Sequence, residues 1–175
     1  PPVLHPSRNE KVFSAVRSGL TVFPPGRRAA MSAVLDVADL SPEYVATSAL
    51  VAGLAGAKGV EALGADARIK WPNDVYADGK KLSGILCRRN GDAIIIGIGV
   101  NVKQKSFPDE ISSRAVSLSM LNVDVGIEEV RDAILDKLLF FYEIWKNDGV
   151  VDVAHGISLP LLVMDEINKR DMFKG

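Results

Sequence analysis

The sequence predicts an α+β fold, with a mixed or antiparallel sheet and helices packed on it. Helical and strand-forming segments occur in separate runs along the chain, as is typical of that class. Three strand-forming segments follow one another between residues 67 and 100 and are joined by short turns, which predicts an antiparallel meander. With 175 residues and 47% hydrophobic residues, the chain is long enough for one domain with a substantial core.

The first third of the chain supplies one strand and one helix. Residues 1–22 carry loop signals without a clear pattern, so we expect them to be irregular. Ala30–Val37 is predicted to be a strand. Ser41 is typical of a helix N-cap and Pro42 of the first helical position, which predicts a helix at about 42–63. Apolar residues occur nearly all round this helix, so we expect it to be buried against the sheet.

Three strands come next: Ala67–Trp71, Lys81–Arg89 and Ala93–Val100. Asp78-Gly79 precedes the second of them and predicts a type I′ turn, because glycine accepts the positive φ that this turn requires. Pro72 has no backbone N–H, so it should interrupt the strand ladder.

The last part of the chain contains a second long helix. Residues 103–113 look like a loop, and a helix is predicted at about 127–147. Its apolar residues, from Ile127 to Trp145, recur at helical spacing and form one stripe that should face the core. The tail at 150–175 is predicted to hold one short helix and a charged exit.

The Asp78-Gly79 turn sets a register that brings charged side chains together. It pairs Tyr76 with Lys81 and Asp74 with Ser83, so these four side chains should share one face of the hairpin. Asp74 and Lys81 then lie on a diagonal, at roughly 7–8 Å between Cα atoms, within reach of a long side chain. An anion beside them would meet the Lys81 ammonium, which predicts a binding site here.

Glycines interrupt the third strand of the meander. Gly97 and Gly99 leave one face of it without side chains, and Gly84 on the neighbouring strand adds a third gap. Two interpretations stay open. The glycines either allow tight packing against the 42–63 helix, or they form a flat slot for a small apolar ligand with Asn101 at its mouth.

Composition and missing motifs exclude several functional classes. The net charge of −1 gives no basic field for nucleic acid, and no apolar run is long enough to span a membrane. Cys87 is the only cysteine, which rules out an internal disulfide, fits a reducing, cytoplasmic location and suggests a core residue. No Rossmann or Walker pattern is present. His5 and His155 are isolated, so we expect no metal ion ligated by protein side chains alone.

Three clusters resemble the central motifs of biotin protein ligases in order and spacing: Lys-Trp-Pro-Asn-Asp at 70–74, Lys-Leu-Ser-Gly-Ile-Leu at 81–86 and Gly-Ile-Gly-Val-Asn-Val at 97–102. Ala-Val-Ser-Leu at 115–118 and the helix that ends near Trp145 are similar to later segments of that family. The similarity covers roughly residues 23–149. It implies a catalytic domain with the fold shared by class II aminoacyl-tRNA synthetases and biotin ligases, over residues 1–175.

The resemblance also implies an activity and the residues that perform it. Members of that family use ATP and Mg²⁺ to convert biotin to biotinyl-5′-adenylate, and then transfer biotin to a lysine of a biotin carboxyl carrier domain in a carboxylase. Lys81 would be the catalytic cation and Asp74 would orient the reacting groups. The other implied roles are ATP or Mg²⁺ binding by Asn73, Asn101 and Lys70, and biotin binding by Gly84, Leu86, Gly97, Gly99 and Ser83.

The sequence departs from that family's pattern at both ends. The family carries an upstream Gly-Arg-Gly-Arg loop, but Phe13–Leu20 occupies its place here without matching it. The family's β-rich C-terminal domain would begin where residues 150–175 end. These departures leave two alternatives open: a module that binds biotin or adenylate with little turnover, and a lipoate ligase of the same fold. We expect no nucleic-acid or membrane partner. A homodimer stays open, because the Ile94–Ile96 segment suits a core and an interface equally.

Overall fold

A computed structural model of the chain describes residues 19–20, 27–42, 45 and 47–148. Its strands are β1 (Gly19–Leu20), β2 (Arg28–Asp36), β3 (Ala67–Lys70), β4 (Asp74–Ala77), β5 (Lys80–Asn90) and β6 (Ala93–Asn101). Its helices are α1 (Ser48–Ala62), the single turn α2 (Asp109–Ser112) and α3 (Ile127–Asp148), with a 3₁₀ turn at Ser119–Leu121. The predictions for residues 1–18 and 150–175 lie outside the described residues.

The strands form one six-stranded sheet in the order β1-β2-β6-β5-β4-β3, and every neighbouring pair is antiparallel. Helices α1 and α3 pack against each other and against one face of this sheet, where the buried apolar residues form a single core. The α+β prediction is confirmed. None of the helices in the described part of the chain is long and apolar enough to cross a membrane.

The predicted meander has four strands rather than three. The chain reverses direction at residues 71–73, where the Trp71–Pro72 peptide bond is cis, and residues 74–77 return as β4 between β3 and β5. Pro72 does interrupt the ladder, as predicted, but the residues on its two sides pair with each other. The Asp78-Gly79 turn is also confirmed, with φ of 49° and 69°.

The two long helices differ in how closely they match the sequence prediction. Helix α1 begins at Ser48, later than predicted, although a hydrogen bond from Val45 N–H to the Ser41 carbonyl forms a helical turn before it. Helix α3 matches, and its apolar stripe is buried as expected. Two side chains of that stripe donate hydrogen bonds: Tyr142 to the Asp36 carbonyl at 2.7 Å, and Trp145 to Thr47 Oγ1 at 3.0 Å.

Burial changes the ionisation of two core groups. It raises the pKa of Tyr142 to about 12, with a smaller contribution from the Asp36 carboxylate. Cys87 packs against the core as predicted, and burial raises its thiol pKa while a hydrogen bond with Ser48 acts in the opposite direction. The thiol is therefore a structural group rather than an activated nucleophile.

Helix α1 approaches α3 most closely at Gly59, which yields a test of the core. A Cβ at Gly59 would lie 2.6 Å from Ile134 Cγ1 and 2.8 Å from Ile134 Cα, so Gly59→Ala should lower the free energy of unfolding by about 1–3 kcal/mol. Gly53→Ala is the matched control, because its Cβ would meet Ile69 Cγ2 at 3.6 Å, an ordinary contact. That variant should gain up to about 1 kcal/mol of helix propensity. Urea denaturation measures both, and equal stability of the two variants would contradict this packing.

Candidate active site

A β-bulge in β5 determines which side chains face the candidate site. Tyr76 pairs with Lys81 but Val75 pairs with Ser83, so Leu82 is an extra residue in β5. The predicted pairing of Asp74 with Ser83 is therefore wrong, because Asp74 pairs with Gly84. Ser83 lies on the core face, and only 3% of it is exposed.

The bulge places Lys81, Gly84 and Leu86 on the sheet face opposite the helices. Across the sheet, Gly84 is level with Gly99 on β6, and Gly99 is level with Ala30 on β2. These positions line a cavity of about 400 Å³ together with residues from β2, β4 and β6. Its lining is Ala30, Met31, Ser32, Asn73, Asp74, Lys81, Gly84, Ile85, Leu86, Gly97, Ile98 and Gly99.

The floor of this cavity is bare because of its glycines. Among the described residues, a Cβ at Gly99 would meet no atom within 4 Å, and one at Gly97 would meet only the Leu86 carbonyl oxygen at 3.8 Å. Both glycines face away from α1, so the interpretation that they allow tight packing against that helix is wrong. The open interpretation that remains is a flat slot for a ligand.

Lys81 and Asp74 form an ion pair at the edge of the glycine floor. Lys81 Nζ lies 2.5 Å from Asp74 Oδ1, with 46% and 21% of the two side chains exposed. A Cβ at Gly84 would come within 3.3 Å of Lys81 Cε and 3.7 Å of Asp74 Oδ1, so the bare Gly84 leaves room for the pair. Because the Lys81 ammonium is half exposed and opens onto the cavity, it can contact an anion bound there.

Residues 114–118 position both Lys81 and Asn101. The Lys81 N–H donates to the Arg114 carbonyl at 2.8 Å, and Val116 N–H donates to the Lys81 carbonyl at 3.0 Å. Asn101 Nδ2 donates to the carbonyl of the same Val116 at 3.1 Å. One backbone segment therefore fixes two predicted site residues that are 20 positions apart in sequence.

Ser117 and Gln104 hold that segment in place through hydrogen bonds. The sequence prediction gave neither of them a role. Ser117 is fully buried; its Oγ donates to the Gln104 carbonyl at 2.5 Å and accepts from Met120 N–H at 3.2 Å. Gln104 Nε2 donates to Asn101 Oδ1 at 3.3 Å. The Ala-Val-Ser-Leu motif at 115–118 was the available signal, but it did not indicate what Ser117 contacts.

Two further predicted residues have structural partners. Asn73 Nδ2 donates to the Ile85 carbonyl at 2.9 Å, and the backbone carbonyl of Asn73 accepts from Ile85 N–H at 2.8 Å. Asn73 therefore fixes the chain reversal against β5. Lys70 Nζ lies 3.4 Å from Tyr76 Oη and 4.7 Å from the centroid of its ring. Lys70 borders a separate depression of about 450 Å³ along residues 66–79.

The structure therefore gathers most of the predicted site around one cavity. It brings together Asn73, Asp74, Lys81, Gly84, Leu86, Gly97 and Gly99. Asn101 lies at one end of the floor, on the same face, while Lys70 and Ser83 lie elsewhere.

Comparison with known proteins assigns this chain to a family. The sequence model of the biotin/lipoate A/B protein ligase family matches residues 13–103, more than half of the chain. The chain belongs to this family. The match includes the clusters at 70–74 and 81–86, and it confirms the resemblance to a biotin protein ligase catalytic domain.

Relatives of the chain within this family are biotin ligases. The bifunctional ligase/repressor BirA of Bacillus spizizenii is 39% identical over 102 residues, which are 54% of this chain and 30% of that protein. The biotin–acetyl-CoA-carboxylase ligase of Mycobacterium tuberculosis is 34% identical over 126 residues, 67% of this chain and 45% of that protein. The chain thus spans less than half the length of these two relatives.

Solved structures of the family share the fold. The biotin protein ligase of Aquifex aeolicus is 30% identical with a TM-score of 0.64, over 74% of this chain and 60% of that one. Its complex with biotin and ATP gives a TM-score of 0.59 at 30% identity, over 69% and 53%. A bipartite archaeal lipoate protein ligase of Thermoplasma acidophilum is 21% identical, with a TM-score of 0.53 over 66% and 51%, which shows a common fold alone.

Removing the Ser117 hydroxyl tests the support beneath the site. Ser117→Ala removes the buried hydroxyl that donates to the Gln104 carbonyl, so the free energy of unfolding should fall by about 1–3 kcal/mol. Ser112→Ala is the control, because its exposed hydroxyl makes one bond, to the Asp109 carbonyl, and its loss should change stability by about 0.5 kcal/mol or less. Chemical denaturation compares the two, and equal effects would contradict a supporting role for Ser117.

Proposed function

We propose that this chain activates biotin with ATP to form biotinyl-5′-adenylate, and then transfers biotin to a lysine of a biotin carboxyl carrier domain. The observation that carries the proposal is the cavity that joins a bare glycine floor to the Lys81 ammonium. Relatives named as biotin ligases, one of them solved with biotin and ATP, support the same substrates. We place the reaction in the cytoplasm, where ATP is available. The proposed function requires neither DNA binding nor dimerisation of the chain.

Biotin has the shape that the floor accepts. A fused bicyclic ring can lie flat on Gly97 and Gly99, since neither position carries a side chain that would hold it off the sheet. The exposed Leu86 side chain offers an apolar wall for the valeryl chain. In this orientation the biotin carboxylate points along the floor toward Lys81, which places the only charged group of the substrate beside a cation.

The first reaction needs fixed positive charge at the point where negative charge concentrates. A biotin carboxylate oxygen attacks the α-phosphorus of ATP, the bond from that phosphorus to the oxygen bridging to the β-phosphate breaks, and pyrophosphate leaves. Lys81 lies where it can contact both reacting anions, which lowers their mutual repulsion and stabilises the charge that develops. Asp74 holds the Lys81 ammonium in position through their ion pair.

The second reaction uses the same pair of residues. The ε-amine of the acceptor lysine attacks the acyl carbon of the adenylate, the bond from that carbon to the phosphate oxygen breaks, and AMP leaves with the electron pair. The amine loses a proton in this step. The Asp74 carboxylate, which opens onto the cavity, is placed to orient the amine and to accept that proton.

Oxygen-bearing side chains suit the nucleotide and its Mg²⁺. Magnesium prefers oxygen ligands and is usually held by one or two side chains together with substrate phosphates. Asn73 lines the cavity and Asn101 lies at the end of the floor, so their amide oxygens would be the ligands, although Asn101 Oδ1 also accepts from Gln104 Nε2. No group of three or more His, Cys, Asp or Glu residues in the described part of the chain forms a ready-made metal site. Bound Mg²⁺ would neutralise phosphate charge. Lys70 borders the other depression and has no role in this proposal.

Replacing Lys81 tests the catalytic cation directly. Lys81→Gln should reduce biotin-dependent pyrophosphate release by about 10²–10³-fold, because a fixed charge at the reacting phosphate is removed. Lys80→Gln is the matched control, since Lys80 precedes Lys81 in the same strand and does not line the cavity. Both variants should keep the melting temperature of the wild type. Pyrophosphate release at the wild-type rate by Lys81→Gln would refute the mechanism.

Filling the glycine floor tests the biotin slot. Gly99→Val should fold at least as well as wild type, because its Cβ meets no atom of the described residues within 4 Å and β-branched residues favour strands. Its branched side chain would occupy the place of the biotin ring, so calorimetry should show at least tenfold weaker biotin binding, about 1.4 kcal/mol.

The control for the floor variant lies on the same strand and face. Ala93→Val also adds a branched side chain but lies at the far end of β6, away from the cavity, so its biotin affinity should equal that of wild type. Unchanged biotin binding by Gly99→Val would place the slot elsewhere. Tighter binding of lipoate than of biotin by the wild type would favour the lipoate ligase alternative.

A further inference from the structure

An arginine that the sequence prediction did not select lies at the end of the glycine floor. Along β2, exposed or half-exposed residues alternate with buried ones, so Arg28 shares a face with Ala30 and Ser32, which line the cavity. Arg28 is directly opposite Asn101 on β6 and is exposed. It therefore occupies the end of the floor where Asn101 and Lys81 also lie.

The Arg28 guanidinium has no partner within the described part of the chain, whereas nearby lysines do. Lys81 pairs with Asp74, and Lys103 pairs with Asp124 at 2.7 Å. The salt bridges and hydrogen bonds of the described residues do not include the Arg28 side chain. An exposed charge of this kind contributes little to folding, but it remains available to bind an anion.

We propose that Arg28 binds the polyphosphate of ATP at the end of the floor, on the far side of β6 from Lys81. The inference rests on the proposed function. Strands β2 and β5 are separated by β6, so two strand spacings of about 4.8 Å place the Arg28 and Lys81 backbones about 10 Å apart. That separation suits two cations that contact different phosphates of one chain, with Lys81 at the α-phosphate.

The chemistry of an arginine fits the leaving group. When the α-phosphorus to bridging-oxygen bond breaks, its electron pair moves onto the departing pyrophosphate, and the negative charge there increases. A guanidinium presents parallel N–H donors that match two phosphate oxygens at once, and it stays protonated throughout. Residues 13–20 do not match the Gly-Arg-Gly-Arg loop of the family. Arg28 thus supplies a positive charge for the phosphates from another part of the chain.

Three single substitutions, each of which removes one positive charge, distinguish phosphate binding by Arg28 from a general effect of net charge. Arg28→Gln should raise the dissociation constant for ATP, measured by calorimetry without biotin, by about tenfold or more. Arg27→Gln removes the neighbouring cation, and Arg88→Gln removes an exposed cation from the same sheet face at the far end of β5. Both controls should bind ATP within about twofold of wild type, and Arg28→Lys should recover part of the loss.

Inorganic tripolyphosphate is a second probe that requires no catalysis. It should bind wild type more tightly than Arg28→Gln, while biotin affinity and melting temperature stay the same in both. In pyrophosphate release, Arg28→Gln should raise KM for ATP without changing KM for biotin.

Arg28→Gln with the ATP and tripolyphosphate affinities of the two controls, or with biotin binding weakened equally, would overturn the inference. An active wild type with that result leaves the proposed function intact. A wild type that binds tripolyphosphate through Arg28 but releases no pyrophosphate would instead overturn the proposed function alone. A wild type that binds neither ATP nor tripolyphosphate would overturn both the Arg28 inference and the proposed function.

Discussion

The bulge at Leu82 is the constraint on which the candidate site depends. In a regular strand, residues three positions apart point to opposite faces, so Lys81 and Gly84 could not line the same cavity. The extra residue changes this, because Leu82 enters the core and Gly84 moves to the face that Lys81 occupies. The cation and the bare floor meet only because the ladder is interrupted between them.

The two faces of the sheet have different roles. One face is covered by α1 and α3, and its buried isoleucines and valines, together with the close approach of Gly59 to Ile134, supply the stability of the domain. The opposite face carries glycines where a strand would ordinarily place larger side chains. Stability is therefore concentrated on the helical side, and no helix of the described residues packs on the other side. Ile94 and Ile96 belong to the covered face, whereas 37% of Ile95 is exposed on the other.

Local signals predicted the parts of the structure that depend on neighbouring residues. The predictions of the Asp78-Gly79 turn and of the apolar stripe of α3 are confirmed, because each follows from backbone preference or from periodicity within one segment. The bulge could not be predicted in the same way, since Ile85 and Leu86 are both apolar and the pattern does not show which of them faces the core. The sequence predicts only that Pro72 interrupts the strand ladder. It does not show that the segments on the two sides of Pro72 pair with each other.

Contacts between distant residues account for the remaining gaps. The bond from Asn101 to Val116 and the bond from Ser117 to Gln104 join segments that have no sequence pattern in common. The role proposed for Arg28 depends on the β2–β6 register, which places it opposite Asn101. Motif resemblance named most of the side chains around the cavity, but it did not reveal that Ser83 belongs to the core.

The proposed mechanism requires biotin to lie on the glycine floor with its carboxylate toward Lys81. A crystal structure of the chain grown with biotin tests this directly. We expect the bicyclic ring in contact with Gly97 and Gly99, and a carboxylate oxygen within hydrogen-bond distance of Lys81 Nζ. Biotin bound in the depression along residues 66–79, or with its ring away from the two glycines, would contradict it.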